Sequence, residues 1–163
     1  MDTESSDYNQ AVSNLGSMHP DKFLIKQFSL HSENKVGRLN DLFNIMNQNE
    51  VFIMAITTID STDTSIIRIV VNYPQRTRKL LKENNFYFSE SNVVAVELSD
   101  CTEMHKITRA LIQAEININY LYPFLSRPND KSAITLSLEE HDLAIEIMLK
   151  SNLTLLTQDD IAR

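Results

Sequence analysis

The chain has 163 residues, enough for one ordinary domain or two small ones. Its 42% hydrophobic and 23% charged content is globular and excludes disorder throughout, and no apolar run reaches the length of a membrane-spanning helix. With 15 basic against 22 acidic residues the net charge is −7, which opposes binding to a phosphate backbone, and no Lys/Arg run forms a local exception.

Cys101 is the single cysteine, so an internal disulfide framework is excluded. The first residues lack the basic flank and apolar segment of a signal peptide. Both features predict a cytoplasmic protein. Two glycines in the whole chain leave no glycine-rich phosphate loop.

In chain order, residues 1–21 read as a flexible polar tail that buries too little apolar surface to offset its ordering entropy, with a short helix expected around residues 8–15. Residues 23–31 alternate as a strand, and residues 32–37 form a loop. Leu39, Leu42, Phe43 and Met46 then make one apolar helix stripe. Residues 51–59 are a β-branched, mostly buried strand, residues 60–64 a turn, and residues 65–71 the returning arm of a hairpin. Pro74 opens a helix carrying Thr77, Leu80 and Leu81, which ends near Asn84 and Asn85. Residues 86–88 open a short strand, and residues 93–98 make another. Met104, Ile107 and Leu111 mark a helix face, residues 116–124 an alternating strand, and residues 127–131 a turn. Residues 133–138 return as a strand. Residues 139–150 form a helix with Leu143, Ala144, Ile147 and Met148 inward, and residues 153–156 are the last strand. Thr157 to Asp160 is an N-cap signature for a closing turn.

These elements repeat. Leu39, Leu42, Met46, Val51 and Ile53 correspond to Met104, Ile107, Leu111, Ile116 and Ile118 at a constant offset of 65. Val71 and Phe86 correspond to Leu138 and Leu153 at 67. Each unit reads βαββαβ, so the predicted fold is α+β: two tandem ferredoxin-like domains, residues 22–90 and 91–163. Each has an antiparallel sheet with both helices on one face and the other face partly open. A unit this small is marginal alone, and pairing two in one chain covers sheet edges.

No catalytic or metal constellation emerges. His19, His31, His105 and His141 form no ligand motif with one another or with Cys101. Cys101, at a predicted helix start, reads as a small, partly buried residue rather than an activated thiol. Asp60 with Asp63, and Asp159 with Asp160, read as turn and cap carboxylates. The sharper feature is the segment Ser32-Glu-Asn-Lys-Val-Gly-Arg-Leu39 between the first strand and the first helix. Free N–H groups at a helix start attract a carboxylate. Gly37 permits a left-handed turn and close backbone approach. Asn34 offers donors and an acceptor, and Arg38 either pairs with an anion or faces solvent. A plain connector that merely needs a glycine remains the alternative.

With Glu-Asn-Lys-Val-Gly-Arg-Leu after its first strand, this βαββαβ pair resembles the ACT domain family, whose members often carry Asp/Glu, Asn, any residue, Pro, Gly and Leu there. Gly37 and Leu39 match, and Val36 stands where proline is usual. From residue 23 to the end, the tandem arrangement resembles stand-alone two-ACT amino-acid-binding proteins, which are also likened to the regulatory small subunit of acetolactate synthase. The resemblance implies an amino-acid ligand held at an interface between paired domains, with a neighbouring edge strand closing the site. Carried over, the first loop gives Asn34, Val36, Gly37, Arg38 and Leu39 as ligand-binding residues. The second gives Asp100, Cys101, Thr102, Glu103 and Met104, a degenerate site because Thr102 replaces the glycine and Glu103 adds negative charge.

The role the resemblance implies is therefore a non-catalytic amino-acid sensor without cofactor or metal, with acetolactate synthase or branched-chain amino-acid metabolism as its implied setting. Its expected partners are a second copy of itself in a homodimer and a biosynthetic enzyme; nucleic acid and membrane are excluded. The alternative is a structural or interaction module that has lost its ligand. Tyr120, Tyr122 and Phe124 are expected to pack in the core or on the sheet face, or else to line an interface.

Overall fold

The computed structural model describes residues 19–33, 36–61 and 64–162. The helix expected around residues 8–15, Asn34 and Asp63 lie outside the described residues. The elements are β1 (Leu24–Glu33), α1 (Arg38–Gln48), β2 (Ile53–Asp60), β3 (Thr64–Val71), α2 (Pro74–Glu83) and β4 (Tyr87–Leu98). They continue with α3 (Glu103–Gln113), β5 (Ile118–Pro123), β6 (Ser132–Leu138), α4 (His141–Lys150), β7 (Leu155–Leu156) and α5 (Gln158–Ile161). One-turn 3-10 helices cover Pro20–Phe23 and Pro128–Asp130.

Each half has the expected topology. The first half has the strand order β2-β3-β1-β4, and β5-β6-β4-β7 repeats it in the second. The two halves share β4. Residues 86–88 and 93–98 were expected to be separate strands; instead Tyr87 to Leu98 run as one, and the expected domain boundary at 90/91 falls inside it. The polar run Ser89-Glu-Ser-Asn92 looks like a break in sequence. It is held extended because β1 pairs with β4 from Leu24↔Val94 to His31↔Tyr87, and β7 takes over the same edge at Ala95 and Val96. The outcome is one seven-stranded sheet rather than two.

Strand alternation then sorts the core into three parts. Phe28, Leu30, Ile67 and Ile69 face α1 and α2, where Leu42, Met46, Leu80 and Leu81 cover them. Val94, Val96, Leu98, Leu136 and Leu138 face α3 and α4, against Ile107, Leu111, Ala144, Ile145 and Met148. Each fully buried side chain of this size contributes about 1.5–3 kcal/mol. The third part lies on the opposite face of the sheet. There Ile25, Ala55, Val70, Val93, Ala95, Tyr122, Ala133, Leu156 and Ile161 pack together, so the faces expected to stay partly open lie against each other. The outer edges also meet, through an antiparallel bridge between Ala55 and Phe124 and a 2.7 Å bond from the Leu125 N–H to the Met54 carbonyl. Tyr120, Tyr122 and Phe124 thus belong to the seam between the halves.

All four long helices end alike. Glu50, Asn85, Glu115 and Asn152 have φ of 54°, 55°, 57° and 56°. The N–H of the next residue then reaches the carbonyl five positions back: Val51 to Met46, Phe86 to Leu81, Ile116 to Leu111 and Leu153 to Met148, at 2.9–3.0 Å. This is the Schellman termination, and its spacing of 65 and 67 residues reproduces the sequence repeat in backbone geometry. Thr157 and Asp160 form the expected capping box, with Thr157 N–H to Asp160 Oδ2 at 2.6 Å. One helix face differs: in α4 the buried residues are Ala144, Ile145 and Met148, while Leu143 is exposed and Ile147 only half-buried. Apolar residues flank the Ala144–Met148 row on both sides, so periodicity alone does not choose between them.

Candidate ligand-binding site

β1 ends at Glu33 and α1 starts at Arg38, with Gly37 as its N-cap at φ 96°, ψ −16°. An ideal Cβ on Gly37 meets nothing within 4 Å. The glycine is therefore selected by its left-handed backbone and not by crowding. No described side chain caps this helix start, although the Asp41 N–H already bonds the Gly37 carbonyl at 2.9 Å. The first-turn N–H groups therefore point outward with their partial positive charge.

Above this turn lies an open cleft of about 210 Å³, lined by Ser32, Glu33, Arg38, Leu39, Thr58, Asp60, Ser65 and Ile67. A second cleft of about 300 Å³ borders His31, Ser32, Glu33, Arg38, Asn85 and Tyr87. Arg38 stands between the two and stacks over Phe86, its guanidinium carbon 4.8 Å from the ring centroid. Leu39, expected on the buried helix stripe, is 41% exposed and forms part of the cleft wall; Val36 is wholly exposed beside it. Arg38 and Leu39 are thus brought together as expected. Thr58, Asp60, Ser65 and Ile67 are the lining residues that the sequence reading missed. They come from the β2–β3 hairpin, and the available signal was strand alternation, which turns their side chains to the helix side at the end where β1 meets α1. Every lining residue of both clefts lies in the first half of the chain.

The equivalent loop of the second half is arranged differently. Thr102 sits in the right-handed helical region, at φ −75°, ψ −19°. Asp100 Oδ1 accepts from the Thr102 N–H at 2.7 Å and also from its hydroxyl. Thr102 thereby holds the Asp100 carboxyl below the usual range. Glu103 Oε2 accepts from the Ser99 N–H at 2.6 Å, and its other oxygen lies 3.4 Å from Lys106 Nζ. The Ser99 N–H is the main reason the Glu103 carboxyl is also lowered. Here the loop's own carboxylates bond the N–H groups of Ser99 and Thr102, while no described side chain caps the first turn of α3. Cys101 is exposed, not partly buried as expected, because it lies at the tip of this turn. Met104 is half-buried against the second core.

Among the described residues no group of three or more His, Cys, Asp or Glu is placed to hold a metal ion, and no helix is long and apolar enough to cross a membrane. His31 is exposed and lies 3.4 Å from Ser89 Oγ. His141, expected at the surface, is half-buried, with Nε2 3.1 Å from the Asn92 carbonyl at the outer edge of β4.

Twin βαββαβ halves sharing one sheet, with a glycine turn opening the first helix, define a two-unit ferredoxin-like protein. The chain belongs to the family described as the ACT domain pair, whose model matches residues 23–163. No curated protein matches it. Among solved structures it is similar to protein BT0572 from Bacteroides thetaiotaomicron, with 25% identity and a TM-score of 0.79 over 86% of this chain and 97% of that one. It also shares its fold with the ligand-free regulatory subunit of aspartate kinase from Thermus thermophilus, at 14% identity and a TM-score of 0.56 over 79% and 93% of the two chains. The corresponding subunit from Thermus flavus gives 13% identity and 0.52 over 80% and 94%.

Proposed function

We propose that the protein is a non-catalytic regulatory module that binds a free amino acid in the cleft beside Gly37. The observation that carries this reading is the left-handed glycine turn, with a helix start that no described side chain caps and Arg38 opening onto a small, hydroxyl-rich cleft. The outward N–H groups and Arg38 suit an α-carboxylate. Glu33, Asp60 and the hydroxyls of Ser32, Thr58 and Ser65 suit an ammonium group, with Leu39 and Ile67 as apolar wall. At about 210 Å³ the cleft fits a metabolite smaller than typical drug-sized ligands. It is open toward solvent, and no residue of the second half closes it, so a second copy of the chain in a homodimer is the natural lid. The regulated partner is then a biosynthetic enzyme. Aspartate kinase regulatory subunits with this fold support that class of role; acetolactate synthase and branched-chain amino acids remain the specific reading for the ligand screen to open on.

The test is thermal unfolding in the presence of each common amino acid. At a concentration 100 times its Kd a ligand adds about 2.7 kcal/mol. If no amino acid shifts the transition at millimolar concentration, the reading fails. A ligand-free interaction module is then the surviving alternative, one already favoured for the second half by its right-handed Thr102 turn and the two carboxylates in its loop.

A further inference from the structure

The non-helical face of the first half-sheet is covered by the second half over only part of its length. Arg68 projects from β3 where that cover ends. Its guanidinium carbon lies 4.0 Å from the centroid of the Tyr120 ring. Its partners across the ladder are Ser29 on β1 and Thr57 on β2. Ser29 in turn faces Ser89, and Gln27 faces Ser91. Beneath this layer Gln27 is completely buried and immobilised, donating to Tyr120 Oη at 2.8 Å and accepting from Tyr122 Oη at 2.6 Å. Burial keeps the Tyr122 phenol protonated as that donor, its pKa pushed well above the usual value.

One polar atom in this layer lacks a partner: Arg68 Nη1 is buried without an acceptor. None of the ion pairs among the described residues includes Arg68. Arg68 is thus a half-buried cation stacked on Tyr120 and flanked in the ladder by Ser29 and Thr57, with no carboxylate paired to it among the described residues. A water molecule would satisfy one N–H and leave the charge uncompensated.

We propose that Arg68 anchors a binding site for a small oxyanion, a carboxylate or a phosphate group, on the sheet face between the two halves. The guanidinium fork matches two oxygens of either group. Tyr120 fixes the plane of that fork, and the Ser29 and Thr57 hydroxyls are the adjacent donors. The site is distinct from the Gly37 cleft: Ser65 and Ile67, on the same strand, face that cleft from the opposite side of the sheet. It stands whether or not the cleft binds an amino acid.

The test is an NMR titration of the full-length protein with sodium phosphate and, separately, sodium acetate, with chloride holding the ionic strength constant. The expected result is saturable movement of the Arg68 Nε–Hε signal and of the Ser29 and Thr57 amides, with a midpoint separate from that of any movement at Gly37 and Leu39. Whichever salt acts at the lower concentration identifies the phosphate or the carboxylate as the ligand group. Arg68→Met should weaken that binding roughly tenfold or more, and Arg68→Lys less, because the charge survives without the fork. The proposal is overturned if neither salt moves Arg68 saturably in the wild type, if Arg68 moves only in step with Gly37, or if Arg68→Met leaves the Ser29 and Thr57 movements as tight as in the wild type. Should Arg68→Met fail to fold, the wild-type titration decides alone.

Discussion

Gly37 and Thr102 stand at the same place in the two halves, 65 residues apart, yet they make opposite kinds of turn. At Gly37 the backbone is left-handed and the described residues leave the helix start uncapped. At Thr102 it is right-handed, and Asp100 and Glu103 bond the local N–H groups. Both turns launch a helix with equivalent buried residues, Leu42 with Ile107 and Met46 with Leu111, and Ala110 is buried in addition. The duplicated scaffold therefore does not fix the hand of the turn. No described side chain caps either helix start, so the two loops differ in backbone conformation and in the carboxylates that brace only the second.

The largest expected effect probes what the halves have in common. Leu42→Ala and Ile107→Ala remove equivalent, fully buried side chains and should each cost about 2–5 kcal/mol. Because β4 runs through both halves and the sheet faces pack on each other, both variants should lower one shared unfolding transition, monitored by urea with fluorescence and circular dichroism. Two separable transitions, with only the mutated half destabilised, would show that the seam does not couple them.

Next in size is the contrast at the turns themselves. Gly37→Ala meets no steric obstacle but places a side chain at φ 96°, a cost of roughly 1–2 kcal/mol in stability. It should also abolish any amino-acid-induced thermal shift, up to about 2.7 kcal/mol at 100 times Kd. Thr102→Gly should create no second site, because Asp100 and Glu103 are still present. An amino-acid shift that survives Gly37→Ala, or one that grows with Thr102→Gly, would reverse the assignment of roles.

Much of this scaffold was legible in the sequence because its signals are local. Pro74 opens α2, Thr157 and Asp160 cap α5, and the apolar spacing of residues 42, 46 and 51 recurs at 107, 111 and 116. What escaped depends on distant chain. Ser89 to Asn92 lack strand propensity and are extended only because β1 lies beside them. Half of the cleft wall comes from the β2–β3 hairpin, whose contribution is fixed by folding over β1 and not by any motif near Gly37. The bridge between Ala55 and Phe124 likewise joins residues far apart in the chain, which no short window of residues encodes.

A smaller effect tests the helix terminations that both halves share. Glu50 and Glu115 adopt positive φ, where glycine carries no steric penalty. Glu50→Gly and Glu115→Gly should each raise stability by up to about 1 kcal/mol, and by similar amounts, since their caps have the same geometry. Asn85→Gly and Asn152→Gly should gain less, because asparagine already tolerates this region. A loss of stability at either glutamate would mean that its side chain does more than occupy the turn.

The smallest effect is specific to the filled turn and depends on pH. Thr102 holds the Asp100 carboxyl below its usual value, so the group favours the folded state when ionised. That contribution is complete above the unfolded pKa, about 3.9 for aspartate, and fades as pH falls through the lower folded value. Wild type should therefore exceed Asp100→Ala in stability at neutral pH, and the gap should narrow only in acid below about pH 4. Asp100 is exposed, so solvent keeps the gap small. Urea unfolding at neutral and acid pH measures it. A gap that stays constant would mean that the hydroxyl and N–H of Thr102 do not depend on the charge they bond. The second turn would then be closed by shape alone, and the proposed electrostatic difference between the two loops would lose its basis.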